Sequence, residues 1–281
     1  MRVRCGWSLG AGFGFIAGCY VLGWRPRWEV MEDKDRFLLL LIPLAMLVEC
    51  LSAAPRLPRS ISWIGRGALA FAATPLLLWN TVYLKDVAGP GTRQWSETEL
   101  ILWLSGLGAL LTTVWTLLDW RHVRRPGRST PLALALTTAA AALTVMLSGY
   151  LTGGQMGLPL AAAVTGGVLA SFLLRGAGVT SGACTIPLVG LFGLLVIGRF
   201  FGELATWQGL VIFLCPLLTW VTELPIARRL RRGLRDVLAL VLVTGCAGGV
   251  VYLAQKPPEG TSTKSPSTPA PTVDDYLNFG K

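Results

Sequence analysis

Residues 98–153 read TELILWLSGLGALLTTVWTLL (98–118), DWRHVRRPGRST (119–130) and PLALALTTAAAALTVMLSGYLTG (131–153). Each outer piece has the length, about 20 mainly apolar residues, that a helix needs to cross the hydrocarbon core of a bilayer. The middle piece concentrates Arg121, Arg124, Arg125 and Arg128. Basic residues close to span ends stay on the cytoplasmic side. The stretch therefore reads as a helical hairpin with its loop inside.

The whole chain follows the same pattern. Of its 281 residues 53% are hydrophobic and only 14% are charged, with mean hydropathy +0.58. An average soluble domain carries about a quarter charged residues, so this chain lacks the surface a water-soluble globule requires. The expected class is all-α, a polytopic transmembrane helix bundle of about nine spans near 6–24, 37–54, 62–84, 98–118, 131–153, 157–176, 184–204, 207–226 and 235–254. Residues 1–254 would form the bundle, and 255–281, rich in Pro, Ser and Thr, a disordered tail with too little apolar surface to offset the entropy of ordering.

With the N-terminus inside, the inner segments hold 15 of the 25 basic residues and only Glu49, Asp119, Glu223 and Asp236 as acids. The inner sum is +11 and the outer sum −1. The net charge of +10 is thus a topology signal, and no nucleic-acid partner is expected. Tyr20, Trp24, Tyr83, Tyr150, Trp207 and Tyr252 fall at outer span ends, and Trp7, Trp63 and Trp120 at inner ends, as interfacial aromatics do. The expected location is a bacterial inner membrane, with the C-terminal tail on the non-cytoplasmic side.

Several chemistries are excluded. The single histidine, His122, sits among the loop arginines, so multi-histidine metal sites and HExxH are out. The six cysteines form no CxxC pair. No catalytic residue, metal site or cofactor site is expected, and free cysteines in apolar segments read as packing residues.

Small residues mark the helix-packing faces. Span one carries Gly6, Gly10, Gly14 and Gly18; Gly166 lies in span six, and Gly198 and Gly202 in span seven. Such residues let helices approach closely in lipid. Span one and the C-terminal tip, Asp274–Lys281, are the surfaces expected to meet a second copy or a membrane-protein partner. Residues 154–156 and 205–206 are short enough to make the flanking spans antiparallel hairpins. Ile16-Ala17-Gly18-Cys19 resembles a lipobox, whose cleavage would remove residues 1–18.

An internal repeat is the reading for three matches. Ile-Pro-Leu recurs at 42–44 and 186–188, Pro-Leu-Leu-x-Trp at 75–79 and 216–220, and a small-residue patch at 105–108 and 244–248. The partners are five spans apart, so the halves would be inverted, as in many secondary transporters. Composition alone can also produce such matches.

The candidate intramembrane polar residues are Glu49, Asn80, Arg199, Glu203 and Glu223. Arg199 and Glu203 stand at i, i+4 and could pair. Glu49 is the deepest acid, and a carboxylate at that depth is what a proton relay or cation site uses. A small carrier is therefore the leading reading, and a non-catalytic accessory or scaffold subunit of a membrane complex is its alternative. A more remote one is an enzyme: Glu29, Glu32, Asp33 and Asp35 crowd the first outer loop, which resembles the acidic outer loop of membrane glycosyltransferases that use lipid-linked sugars.

Overall fold

A computed structural model describes residues 3–26, 32–54, 58–85, 94–124, 127–173, 181–224 and 230–255. The expected tail, Glu29 and Arg125 lie outside these residues. The described residues are helical, with no strand among them. Helix α1 spans Val3–Val21. A short α2 (Asp33–Arg36) runs through a π-helical turn (Phe37–Leu41) into α3 (Ile42–Ser52). Then come α4 (Arg59–Leu77), α5 (Glu97–Arg124), α6 (Ser129–Leu147), α7 (Leu151–Gln155) and α8 (Gly157–Leu173). A 3-10 turn (Ser181–Cys184) opens α9 (Thr185–Phe201). Helix α10 (Thr206–Leu214) continues as a 3-10 stretch (Cys215–Glu223), and α11 covers Arg232–Gln255. Five of these helical runs are long and apolar enough to cross a membrane: 97–124, 129–147, 151–173, 182–201 and 233–255.

The prolines explain the irregular helix. Pro43 follows the π-turn, where the Ile42 N–H reaches back to the Phe37 carbonyl, and Pro216 opens the 3-10 stretch. A proline cannot donate the i→i−4 bond and its ring crowds that carbonyl, so the backbone changes type beside it. Pro187 lies in the first turn of α9, where its N–H is not needed. Pro75 alone of these four lies past the first turn of a regular helix, in the last turn of α4.

Helix α9 is the centre. Every residue from Thr185 to Gly198 is buried, against α1, α3, α4, α5, α6, α8 and α10. Its glycines are sites of close contact: a Cβ on Gly190 would meet Leu160 at 2.2 Å, and one on Gly193 would meet Phe37 at 2.5 Å. Span two buries Phe37, Leu38 and Leu41 in its π-turn and Ile42, Ala45, Met46 and Glu49 in α3.

Three local readings change. The hairpin turn falls at Ser148–Tyr150, with Gly149 at φ +88, and helix resumes at Leu151 rather than after 156. Only glycine takes that left-handed conformation without strain. Helix α5 runs on to Arg124, so Asp119, Arg121 and His122 are buried helical residues, not loop residues. The glycine ladder of α1 splits: Gly14 and Gly18 face Ala163 and Pro159 of α8 at 3.1 and 2.8 Å from an added Cβ, whereas Gly6 and Gly10 meet nothing within 4 Å. Gly166 likewise faces open space, while Gly198 lies against Val145 and Gly202 near Tyr150.

Candidate functional site

Polar contacts tie alternate helix ends together. The starts of α1, α4, α6 and α9 share one layer with the last turns of α3, α5 and α8 and the end of the 3-10 stretch after α10. Ser8 donates to the Gly182 carbonyl at 2.9 Å; Arg128 donates to the Ser171 hydroxyl at 3.0 Å and to its carbonyl at 2.7 Å. Arg121 donates to the Thr130 and Thr222 hydroxyls. At the opposite end, Arg36 donates to the carbonyls of Leu77 and Trp79, covering the carbonyls that the end of α4 leaves open.

Glu49 lies at the centre of the first layer, 3% exposed. Its neighbours come from four other parts of the chain. Arg66, seven residues into α4, donates through Nη2 to Oε1 and Oε2 at 3.2 and 3.0 Å. Thr185, the first residue of α9, donates to Oε2 at 2.9 Å. Arg66 Nη1 turns to Asp119 Oδ2 of α5 at 2.9 Å. Gly182 completes the shell: a Cβ there would stand 2.7 Å from Ser8 Oγ and 2.9 Å from Glu49 Oε1, so only glycine fits.

One guanidinium thus bridges two carboxylates, all three residues being less than a tenth exposed. Trp63 and Trp115 flank it, with the Arg66 Cζ at 5.9 and 5.5 Å from their ring centres. Such ring faces attract a desolvated cation. Arg66 Nε and Asp119 Oδ1 are buried and have no hydrogen-bond partner among the described residues. Fully buried Cys184 lies within electrostatic range of Asp119, Arg121, Glu49 and Arg66. Chemically, the arrangement is a buried charge cluster in which one guanidinium holds two carboxylates, with the buried Arg121 two residues beyond Asp119 on the same helix.

The other candidates are scattered. Asn80 lies beyond the end of α4 at φ +61, exposed, accepting from Lys85 at 2.9 Å. The expected Arg199–Glu203 pair is not formed. Helix α9 stops at Phe201, so the i, i+4 register ends before Glu203, and Arg199 donates instead to Thr206 at 2.9 Å. Glu203 is exposed, with its backbone N–H on the Ser148 carbonyl at 2.9 Å. Glu223 is half-buried at the end of the 3-10 stretch. The outer-loop acids also disperse. Glu32 pairs with Lys34 at 2.5 Å, Asp33 accepts from the Tyr150 hydroxyl at 2.8 Å, and Asp35 accepts from the Glu32 N–H at 3.3 Å. They act in starting α2 and in holding it to the α6–α7 turn.

Arg66, Asp119 and Thr185 escaped the sequence reading. Arg66 had a signal of its own, a lone arginine in Ile64-Gly65-Arg66-Gly67-Ala68-Leu69, but it serves equally well as an inner-end charge. Among the described residues no group of three or more His, Cys, Asp or Glu is placed to hold a metal. No family model, no curated protein and no solved structure matches the chain.

Proposed function

We propose that the protein is a nine-span carrier of a bacterial inner membrane, N-terminus inside and C-terminus outside, and that Glu49, Arg66 and Asp119 form its coupling site. The observation that carries this reading is one buried guanidinium shared between Glu49 and Asp119, two carboxylates on different helices. Uptake of a proton or a small cation by one carboxylate releases its share of Arg66 to the other. Loss of that ion restores the bridge between the two carboxylates. An equilibrium between two pairings of one arginine is a bistable element of the sort that alternating access needs. Intramembrane acid–base clusters mark proton and ion pathways in general.

The test uses inner-membrane vesicles energised by respiration and loaded with a fluorescent pH probe. A panel of solutes is added, and those that discharge the pH gradient are scored. Wild-type protein should give a solute-dependent discharge that Glu49→Gln abolishes. Discharge of the same size in the variant, or none in the wild type across the panel, overturns the reading.

A second reading, a non-catalytic subunit of a membrane complex, is favoured by one observation. Gly6 and Gly10 of α1, and Gly245, Gly248 and Gly249 of α11, present small faces that meet nothing within 4 Å. Small faces of this kind admit a neighbouring helix. Native mass spectrometry after gentle extraction separates the readings: a stoichiometric membrane-protein partner supports the subunit, and a chain that runs alone supports the carrier.

A further inference from the structure

Far from the Glu49 cluster, α5 and α10 flank the outer half of α9 while making little contact with each other. The gap is an open lateral groove with a cavity volume of about 80 Å³. Leu107 and Leu110 of α5, Phe192 and Val196 of α9, and Leu210 and Phe213 of α10 line it. The polar side chains on its wall are Arg199 and Thr206, both at one end. Seven residues of α9 separate Phe192 from Arg199, about 10 Å at 1.5 Å per residue. The shape is an apolar slot two helical turns deep with a single cation at its mouth.

The charge at the mouth is available. Arg199 is exposed, and Nε is fixed by Thr206 Oγ1 at 2.9 Å. Its two terminal nitrogens have no bonded partner among the described residues, and Glu203 makes no ion pair with it. The mouth is ringed by aromatics: Trp103 stacks on Trp95 at 6.1 Å, and Trp95 meets Tyr83 and Phe200 at 5.1 and 5.3 Å. Trp and Tyr collect at headgroup depth, so the ring places Arg199 level with lipid phosphates. Charge decides between occupants: a guanidinium with its terminal nitrogens open above an apolar slot matches the phosphate and chain of an anionic amphiphile.

We propose that this groove seats one acyl chain of an anionic phospholipid, with the Arg199 guanidinium on its phosphate. The chain covers the exposed flank of α9, and the phosphate supplies the counter-charge that Glu203 does not. A cation near the membrane surface favours an anionic lipid by about fivefold.

Trp103, on the groove wall, reports occupancy. The full-length protein is placed in vesicles of phosphatidylglycerol or phosphatidylcholine carrying bromine on one acyl chain. The quenching lost in Trp103→Phe isolates the signal of that residue. Phosphatidylglycerol should displace phosphatidylcholine at Trp103 with about fivefold preference in the wild type. The preference should vanish in Arg199→Gln and return in Arg199→Lys. Equal preference in the wild type, an unchanged preference in Arg199→Gln, or a Trp103 that neither lipid quenches, as an occluding protein helix would leave it, overturns the proposal.

Discussion

Two buried carboxylates at opposite ends of the bundle solve the same problem differently. Glu49 is 3% exposed and keeps its charge company with a guanidinium and a threonine hydroxyl drawn from α4 and α9. Asp33 is 7% exposed and receives the Tyr150 phenol and backbone N–H groups of its own helix start, with the cations of Lys34 and Arg36 nearby. Burial pushes the Asp33 carboxyl above its ordinary value, and the Tyr150 hydrogen bond offsets only part of that. A full counter-charge makes the first site a joint between helices. Neutral donors leave the second a weaker clasp of a short helix. The difference lies in how many elements converge, not in the acid itself.

The largest effect should come from removing the shared cation. Arg66→Gln takes from Glu49 and Asp119 the guanidinium they share, and breaking such a buried pair costs about 3–5 kcal/mol. Equilibrium unfolding in mild detergent should show that loss, with much of it recovered when Glu49→Gln and Asp119→Asn are added. A variant as stable as the wild type would mean that the cluster is already neutral. Next comes Thr185→Val, which removes one donor from a buried carboxylate at nearly constant volume. Its expected cost is about 1–3 kcal/mol, read in the same assay.

The smallest effect belongs to the other end and depends on pH. Because folding raises the Asp33 carboxyl above its ordinary 3.8, the folded state favours the protonated form. The stabilisation is complete below that ordinary value and is lost as pH rises through the folded value. Asp33→Asn, which stays neutral, should flatten this dependence. Melting of the wild type relative to the variant should fall from about pH 4 towards neutrality. Parallel curves would show that burial does not govern the site.

Glu49 was legible because it is one acid in a long apolar run. Its partners were not, for three separate reasons. Arg66 carries a charge that the positive-inside account uses whether or not it is buried. Asp119 adjoins a basic stretch that reads as loop, yet α5 continues six residues past Leu118 because Asp119, Arg121 and His122 find burial there. Thr185 looks like any hydroxyl at a helix start. The Arg199–Glu203 pairing failed for the converse reason: spacing along the chain implies contact only while the helix lasts, and α9 ends at Phe201.

Composition and periodicity by themselves determined that the chain is helical, that its helices are apolar enough for a membrane, and where its arginines cluster. These properties follow from transfer energies and from the length of a helix, both local along the chain. Which charges meet depended on tertiary structure. Electrostatic partners such as Glu49 and Thr185, 136 residues apart, are chosen by how helix ends come together. In a low-dielectric interior that choice is enforced by the cost of leaving any of them alone.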